Sequence, residues 1–181
     1  MTRDTQTANQ KRNDGKWAQD HVQAALAYME RKHKATFIRL YDSTSAGYGS
    51  GGSLIPPQPG DFIVHAMTVG CLLEVKSSQV HHTLPEVAIK SAFRDSQILG
   101  ARLWARAGAK ALCVFIHLPT KYIQLWDMAS VVEAYYAPPR KRKLQGKPLR
   151  EGFIASEEKT AEALLAEIVL SHLNLNTGEK L

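Results

Sequence analysis

The chain has 181 residues, of which 44% are apolar and 22% are charged. This length corresponds to one globular domain, and the apolar content excludes collagen-like and wholly disordered chains. The longest mainly apolar stretch, residues 62–73, is too short for a membrane-spanning helix. The polar N-terminus also lacks the apolar segment of a signal peptide. We therefore expect a cytoplasmic protein of a bacterium or, for a phage gene, of its host, with no membrane contact.

The net charge of +6 favours a polyanionic partner. The excess is concentrated in a basic segment, residues 138–150, which contains no acidic residue. Its cations are Arg140, Lys141, Arg142, Lys143, Lys147 and Arg150. Such a cluster suits contact with phosphates, and a solvated loop that aids solubility is the alternative interpretation. Cys71 and Cys113 lie in apolar runs without a zinc-binding spacing, so we expect buried, reduced thiols.

The predicted elements follow a flexible polar arm at residues 1–16. Apolar spacing, strand-forming residues and turn residues predict, in chain order, a helix over 17–31, a strand over 36–41, a mobile Gly/Ser/Pro-rich loop over 43–60, strands over 61–68 and 71–77, a long helix over 85–108, strands over 111–118 and 122–127, a short helix over 130–136 and a capped helix over 156–173. This order predicts a single α/β domain over residues 17–181, with a central mixed sheet flanked by helices.

Three charged residues on two neighbouring predicted strands form the candidate site. If these strands form an antiparallel hairpin that turns at Met67–Thr68, residues whose numbers sum to 135 lie opposite each other, and Asp61 faces Glu74. Opposed side chains share a face, with Cβ atoms about 5 Å apart. Lys76, two residues beyond Glu74, lies on that face as well. Leu73 and Val75 then point to the other face, into the core.

Two adjacent carboxylates repel each other unless a cation neutralises them. Mg²⁺ typically binds one or two carboxylates together with waters and a substrate phosphate. It would polarise a phosphoryl oxygen and lower the pKa of its bound water. Lys76 could orient that water or stabilise the charge that develops on the phosphate. A surface ion network on a half-exposed strand is an equally good explanation of the spacing alone.

Asp61 followed by Glu74-Val75-Lys76 resembles the PD-(D/E)xK nuclease signature. Among these enzymes the chain is most similar to Holliday-junction resolvases of the archaeal and RecU-like kind. The features that match over residues 16–127 are an acid in the N-terminal helix (Asp20), Arg39 before a Ser/Gly-rich loop, Ser77 and Ser78 after the lysine, Gln97 in a later helix, and the apolar strand 111–118 followed by 122–126. The chain departs from the pattern at Gly60, where the family has Pro.

The resemblance implies a restriction-endonuclease-like core and a metal site. Asp61 and Glu74 would bind Mg²⁺, for which Mn²⁺ would substitute, and the Val75 carbonyl would be a further ligand. Lys76 would be the catalytic lysine. Asp20 falls where the family has a helical Glu, one methylene longer, that helps to hold metal or water. An exposed acid favoured by the helix dipole is the alternative interpretation of Asp20.

The resemblance also implies accessory groups on the long predicted helix. Gln97 matches a helical Gln near the active centre of the family. Lys90, Arg94 and Gln97 follow at positions i, i+4 and i+7, so they would form one polar face that meets DNA or water. The candidate DNA contacts are Arg39, Ser77, Lys90, Arg94, Arg140, Lys141, Arg142 and Lys143.

The resulting hypothesis is a magnesium-dependent DNA endonuclease that resolves four-way junctions in recombination and repair. Two symmetric cuts require two active centres related by a two-fold axis, so we expect a homodimer. A repair or restriction-type nuclease that acts on duplexes, flaps or ends would use the same chemistry. A non-catalytic DNA-binding recombination accessory protein is the alternative from another class, and the intact Asp61, Glu74 and Lys76 argue against it.

Overall fold

A computed structural model describes residues 8–32, 34–40, 58–66, 69–138 and 143–154. Its elements, in chain order, are α1 (Ala8–Arg31), β1 (Thr36–Arg39), β2 (Phe62–Ala66), β3 (Val69–Ser78), a short 3-10 helix (Leu84–Glu86), α2 (Ile89–Ala92), α3 (Asp95–Arg106), β4 (Lys110–His117), β5 (Tyr122–Asp127), α4 (Met128–Tyr136) and β6 (Arg150–Phe153). The strands form one six-stranded sheet between helical layers, so the predicted α/β class with a helix-flanked mixed sheet is confirmed.

The strands lie in the sheet in their chain order, from β1 at one edge to β6 at the other. All neighbouring pairs are antiparallel except β3 and β4, which run parallel. The crossover between these two strands contains the 3-10 helix, α2 and α3. Both central strands are apolar over most of their length because both faces of the sheet are covered there.

Two apolar clusters hold the helices to the sheet. On one face, α1 packs through Val22, Leu26 and Met29 against side chains of the central strands, which include Leu73 and Val75. On the other face, α2, α3 and α4 pack against the alternate residues of the same strands; this cluster includes Leu72, Ile89, Phe93, Ile98, Phe115, Trp126 and Val131. The face that each residue of β3 occupies therefore decides which helix it meets.

The first helix is longer than the sequence indicates. It begins at Ala8, so residues 8–16 are helical and the prediction of a flexible arm over 1–16 is wrong for that part. Residues 1–7 lie outside the described residues. The apolar positions expected to face the core, Val22, Ala25, Leu26 and Met29, are all buried. A polar segment can continue a helix whose later turns are anchored by packing, and hydrophobic periodicity does not report such an extension.

The single long helix expected over 85–108 is interrupted. Phe93 and Arg94 adopt extended backbone conformations, and a new helix starts after them. An uninterrupted helix over 85–108 would place Leu99 and Leu103 on the same face as Ile89 and Phe93. The break changes the helical phase, so Leu99 and Leu103 are 51% and 53% exposed, whereas Ile98 is buried. The proposed polar face of Lys90, Arg94 and Gln97 therefore does not exist as one helical surface.

Smaller differences occur toward the end of the chain. Strand β6 was not predicted, and it begins at Arg150, the last residue of the basic segment. Helix α4 begins at Met128, where the Asp127 side chain accepts a hydrogen bond from the Ala129 N–H. Residues 43–57 of the predicted loop and the helix predicted over 156–173 lie outside the described residues.

Two expectations from composition can be compared with the described part of the chain. Cys71 and Cys113 are buried, and each is a free thiol. Across the described ranges no helix combines the length and the apolar character that crossing a membrane requires.

Candidate active site

The hairpin of β2 and β3 brings the acidic residues together. Phe62 pairs with Leu73 and Ile63 with Leu72, so the predicted register, in which residue numbers sum to 135, is confirmed. Asp61 immediately precedes β2, and its N–H donates to the Leu73 carbonyl at 3.0 Å. The backbone therefore places Asp61 beside the next residue of β3, which is Glu74.

Asp61 is held from two sides. Its Oδ2 accepts a hydrogen bond of 2.7 Å from the Val75 N–H, and its Oδ1 accepts one of 2.7 Å from the Gln19 side chain on α1. Burial raises the pKa of Asp61, and the Val75 hydrogen bond and the nearby charges of Lys76 and Arg39 oppose that rise. Two donors thus fix the orientation of a carboxylate in an environment that disfavours its charge.

Glu74 is buried, with 3% of its surface exposed, on the face of β3 that meets α3. Its Oε1 lies 2.8 Å from the Lys76 ammonium and accepts a hydrogen bond of 2.5 Å from the Gln97 side chain. Its Oε2 is buried and has no hydrogen-bond partner among the described residues. Burial and then the negative charge of Asp61 raise the pKa of Glu74 to about 8, although Lys76 opposes the shift.

Gln97 links the start of α3 to the acidic pair. While its Nε2 donates to Glu74, its Oε1 accepts from the Lys76 ammonium at 3.2 Å and from the Arg94 N–H at 2.9 Å. The last bond caps α3, because Arg94 is the residue before the first helical turn. The helix break that was not predicted thus places Gln97 over the site that it was predicted to join.

A close approach of α3 positions the segment before Asp61. A Cβ atom added at Gly100 would lie 2.3 Å from the Pro59 Cβ, so only glycine allows this contact. On the other side, a Cβ at Gly60 would lie 3.0 Å from a methyl group of Leu72. The chain from Pro59 to Asp61 is therefore confined between α3 and β3, which limits the movement of the Asp61 carboxylate.

Asp20 does not reach this site. It pairs with Arg39 at 2.9 Å, and the same guanidinium also donates to Gln23 and Gln19. The residue of α1 that contacts Asp61 is Gln19, which the sequence pattern did not identify. The sequence pattern indicated the correct helix, because that helix carries an acid, but it indicated the wrong residue. Neighbouring side chains on a helix point about 100° apart, and only the packing of α1 decides whether Gln19 or Asp20 faces the site.

Asp61 and Glu74 line a polar cleft with a volume of about 280 Å³. The side chains of the site and its surroundings that line it are Gln19, Arg39, Asp61, Glu74, Lys76, Ser77, Arg94 and Gln97. Two predicted DNA contacts lie elsewhere in the described structure: the Lys90 ammonium packs 3.5 Å from the centre of the Tyr135 ring, and Lys143 is exposed near α4. Arg140, Lys141 and Arg142 lie outside the described residues.

Comparison with known proteins finds similarity to solved structures at low sequence identity. No family model and no curated protein sequence matches the chain. Among solved structures, it is similar to Hjc, a Holliday junction resolvase of the archaeal hyperthermophile Archaeoglobus fulgidus, with 16% sequence identity and a TM-score of 0.39. The match covers 61% of this chain and 77% of that chain. A similarity at this level carries no weight for function, which must come from the site itself.

The donors of the site fit a hard divalent cation. Within the described ranges no three His, Cys, Asp or Glu side chains cluster as metal ligands, so protein carboxylates would supply two positions. The unpartnered Glu74 Oε2 is a buried oxygen in need of a positive partner. The Val75 N–H faces Asp61, and the N–H and C=O of one strand residue point to the same side, so the Val75 carbonyl also faces it. Two carboxylates and a carbonyl are the ligand types that Mg²⁺ prefers.

Proposed function

We propose that this chain is a metal-dependent endonuclease of the PD-(D/E)xK kind that hydrolyses phosphodiester bonds in four-way DNA junctions. The observation that carries the proposal is the arrangement at the β2–β3 hairpin. There Asp61 and a buried Glu74 with one unpartnered oxygen lie side by side, and the Lys76 ammonium is 2.8 Å from Glu74. A buried carboxylate oxygen without a hydrogen-bond partner in the described structure, next to a second buried carboxyl group, is typical of a functional site, and burial raises the pKa values of both groups.

Asp61, Glu74 and the Val75 carbonyl are the groups that would hold Mg²⁺, or Mn²⁺ in its place. When bound, the cation polarises a phosphoryl oxygen and acidifies a water molecule. The protein keeps the ligands ready for this role. The Val75 N–H and Gln19 orient Asp61, and Gln97 orients Glu74, so little reorganisation is required when the cation enters.

Lys76 acts on the reacting phosphate. Its ammonium carries three N–H donors, of which two point to Glu74 and Gln97. The remaining donor can bind an attacking water or a phosphate oxygen and stabilise the negative charge that develops there. The contact with Gln97 keeps the ammonium in place while Glu74 binds the cation.

The surroundings of the cleft favour a polyanionic substrate. Arg39 and Arg94 line the cleft beside Lys76, so cations surround the two carboxylates. The basic segment follows α4 and is anchored by the buried Leu144, in the same apolar cluster as α3 and α4. We assign the phosphate contacts of a DNA strand to Arg39, Ser77 and Arg94 near the site and to the basic segment farther away.

Four-way junctions are the proposed substrate because the ordered flanks of the motif resemble those of junction resolvases. Symmetric resolution needs two active centres, so the active form is proposed to be a homodimer. The experiment is cleavage of a labelled immobile four-way junction beside a linear duplex of equal length, in Mg²⁺ and in EDTA. Paired symmetric nicks on the junction alone, lost in EDTA, are expected. Equal cutting of both DNAs would retain the nuclease and refute the junction specificity.

Substitution of Asp61 and of Asp20 in the same assay distinguishes a residue of the site from a nearby acidic residue outside it. We expect Asp61→Asn to reduce cleavage about a thousandfold or more, because several kcal/mol of transition-state stabilisation depend on the cation. Asp20→Asn is the matched control, since Asp20 pairs with Arg39 outside the cleft. An Asp20 variant as inactive as the Asp61 variant would contradict the assignment. Tight junction binding without cleavage by wild type would instead indicate a binding protein.

A further inference from the structure

A second cavity adjoins the cleft and shares two residues with it. This cavity has a volume of about 430 Å³. Lys76 and Ser77 line both spaces, so the end of β3 forms the wall between them. The wall continues along the chain from Ser78 to His81, where β3 leaves the sheet. Two residues along a strand such as β3 span about 7 Å, which is the distance from Lys76 to Ser78. The rise per nucleotide in a DNA strand is about 3.4 Å, so the same distance corresponds to about two nucleotides. The cavity is therefore one or two nucleotides from the proposed scissile phosphate.

The walls combine apolar surfaces with a polar rim. Phe115 on β4 lies in the sheet row next to Lys76, and Val87 and Ala92 face it from the crossover that contains α2. The rim carries the Ser77 hydroxyl and the exposed amide of Gln79. Pockets for small organic ligands share this size and this combination of apolar walls with a few polar groups.

The loop that bounds the cavity is fixed by side-chain hydrogen bonds. The Ser78 hydroxyl accepts from the N–H groups of Val80 and His81 at 3.1 and 2.8 Å. Farther along, the Glu86 carboxylate accepts from the His82 N–H at 2.9 Å. These bonds hold the Val80 side chain outward, with 71% of its surface exposed at the mouth of the cavity. A wall fixed before binding lowers the entropic cost of holding a ligand.

We propose that this cavity receives one unstacked nucleobase of the DNA, from a nucleotide that flanks the scissile phosphate. The inference rests on the proposed nuclease function and adds a base-binding subsite to it. Val87 and Ala92, which are partly exposed, provide most of the apolar contact for the base, and Phe115, only 1% exposed, closes the wall behind them. The Gln79 amide, which both donates and accepts, reads the edge of the base. Asp14 on α1 also lines the cavity, so a neutral base suits this space better than a second phosphate.

The subsite has a consequence for the choice of substrate. Moving a base out of a continuous duplex costs unstacking and unpairing free energy, and this cost is smallest where the base is already unpaired or poorly stacked. Branch points of DNA provide such bases. A nuclease with this cavity is expected to prefer branched DNA and, through Gln79, to prefer some bases at the flanking position over others.

The test uses junctions in which the nucleotide on each side of the mapped cut is varied. Each is A, C, G, T or an abasic site, and cleavage rates of the full chain are compared. The cleavage rate of wild type is expected to differ about tenfold between the best and the worst base at this position. A factor of this size is the effect of one good hydrogen-bonded pairing with a base edge. Gln79→Ala should reduce this range to about twofold while its rate on the abasic junction stays unchanged. Gln145→Ala, an exposed glutamine on the loop after α4, should keep the full range.

A binding readout separates this inference from the proposed function. A junction carrying 2-aminopurine at the flanking position is titrated in EDTA, so no cleavage is needed. A fluorescence change with wild type that is abolished by Ser91→Phe, which fills the cavity from its exposed rim on α2, supports the subsite. The same fluorescence change in both proteins, or an equal base range for wild type and Gln79→Ala, overturns the subsite and leaves the nuclease intact. Absence of cleavage by wild type refutes the nuclease, and the fluorescence still decides whether the cavity binds a base.

Discussion

The two faces of β3 receive neighbouring residues with opposite roles. Leu73 and Val75 lie in the apolar cluster beneath α1, whereas Glu74 and Lys76 lie on the face that meets α3. Four consecutive residues thus alternate between a dry core and a polar site. Around Leu73 and Val75, the side chains of the cluster beneath α1 are apolar. On the α3 face, each buried polar atom needs its own partner, and Glu74 Oε2 lacks one.

This difference is the physical basis of the reactivity that we propose for the site. Burial strengthens the interactions of charges that are paired and penalises those that are not. Leu73 and Val75 therefore contribute stability, whereas Glu74 gives some of it up to keep a carboxylate oxygen without a partner in the described structure and a raised pKa.

Lys76→Ala is expected to lower the cleavage rate strongly by removing the ammonium from the α3 face. Loss of one preorganised donor to a developing negative charge typically lowers turnover about 10²–10³-fold. Junction affinity should stay nearly unchanged, because one ammonium is a small part of the phosphate contacts. Single-turnover cleavage and a binding titration in EDTA measure the two effects. Lys34→Ala, an exposed lysine before β1, is the control; equal losses in both variants would contradict the role of Lys76.

The neighbours Leu73 and Glu74 compare the two faces directly. Leu73→Ala should lower the free energy of unfolding by about 2–5 kcal/mol, because it leaves a cavity in the core beneath α1. Glu74→Gln preserves volume and should cost less stability, yet it should abolish metal-dependent cleavage. Denaturant unfolding and cleavage rates measure both. A larger loss of stability for Glu74→Gln would show that the α3 face also serves mainly as core.

Variants of Leu73 and Glu74 also differ in how the free energy of unfolding should depend on pH in EDTA. Because the pKa of Glu74 is raised from 4.5 to about 8, the folded chain holds a proton that the unfolded chain releases between these values. The free energy of unfolding should therefore fall as pH rises from about 4.5 to 8. The raised pKa of Asp61 acts in the same direction. Glu74→Gln should show a shallower decline, and Leu73→Ala should keep the slope of wild type.

Gln97→Ala tests the link between α3 and the acidic pair. The variant leaves Glu74 and Lys76 without their shared partner, and loss of such a supporting interaction typically costs about 10–100-fold in metal affinity or activity. The Mg²⁺ concentration for half-maximal cleavage should rise accordingly. Ser96→Ala is the control on the same helix, because the Ser96 hydroxyl is buried without a partner. A lower rate at an unchanged Mg²⁺ requirement would argue against a positioning role for Gln97.

The smallest effect on cleavage is expected from the basic segment. Replacing Arg140, Lys141, Arg142 and Lys143 with Ala should weaken junction binding and leave single-turnover cleavage at saturation unchanged. The slope of log affinity against log salt concentration should become shallower by about 0.9 for each phosphate that the variant no longer neutralises. Binding that is unchanged in affinity and slope would support the alternative of a solvated loop.

Local patterns in the sequence were sufficient for much of the site. A hairpin turn placed at Met67–Thr68 predicted the strand register, and the pairing of Phe62 with Leu73 confirms it. That register alone set Asp61 beside Glu74 and put Lys76 on the same face. Gln97 was identified through the resemblance to junction resolvases, although the helix expected to carry it is divided in two.

Other features depended on contacts that no local pattern contains. The break at Phe93 and Arg94 produces a new helix phase, and it is stabilised by Gln97 capping across the gap. The choice of Gln19 over Asp20 depends on the rotation of α1 about its axis. The approach of α3 to Pro59 depends on the absence of a side chain at Gly100.

The sequence by itself determined the alternation of β3 and the identity of the reactive groups, because strand periodicity and residue chemistry are local properties. Tertiary structure decided which groups support them and which space lies beside them. The unpartnered Glu74 oxygen, the hydrogen bonds from Gln19 and Gln97, and the cavity next to Lys76 all arise where separate elements meet. Burial and hydrogen-bond satisfaction are properties of packed elements, so they become defined only when the helices lie against the sheet.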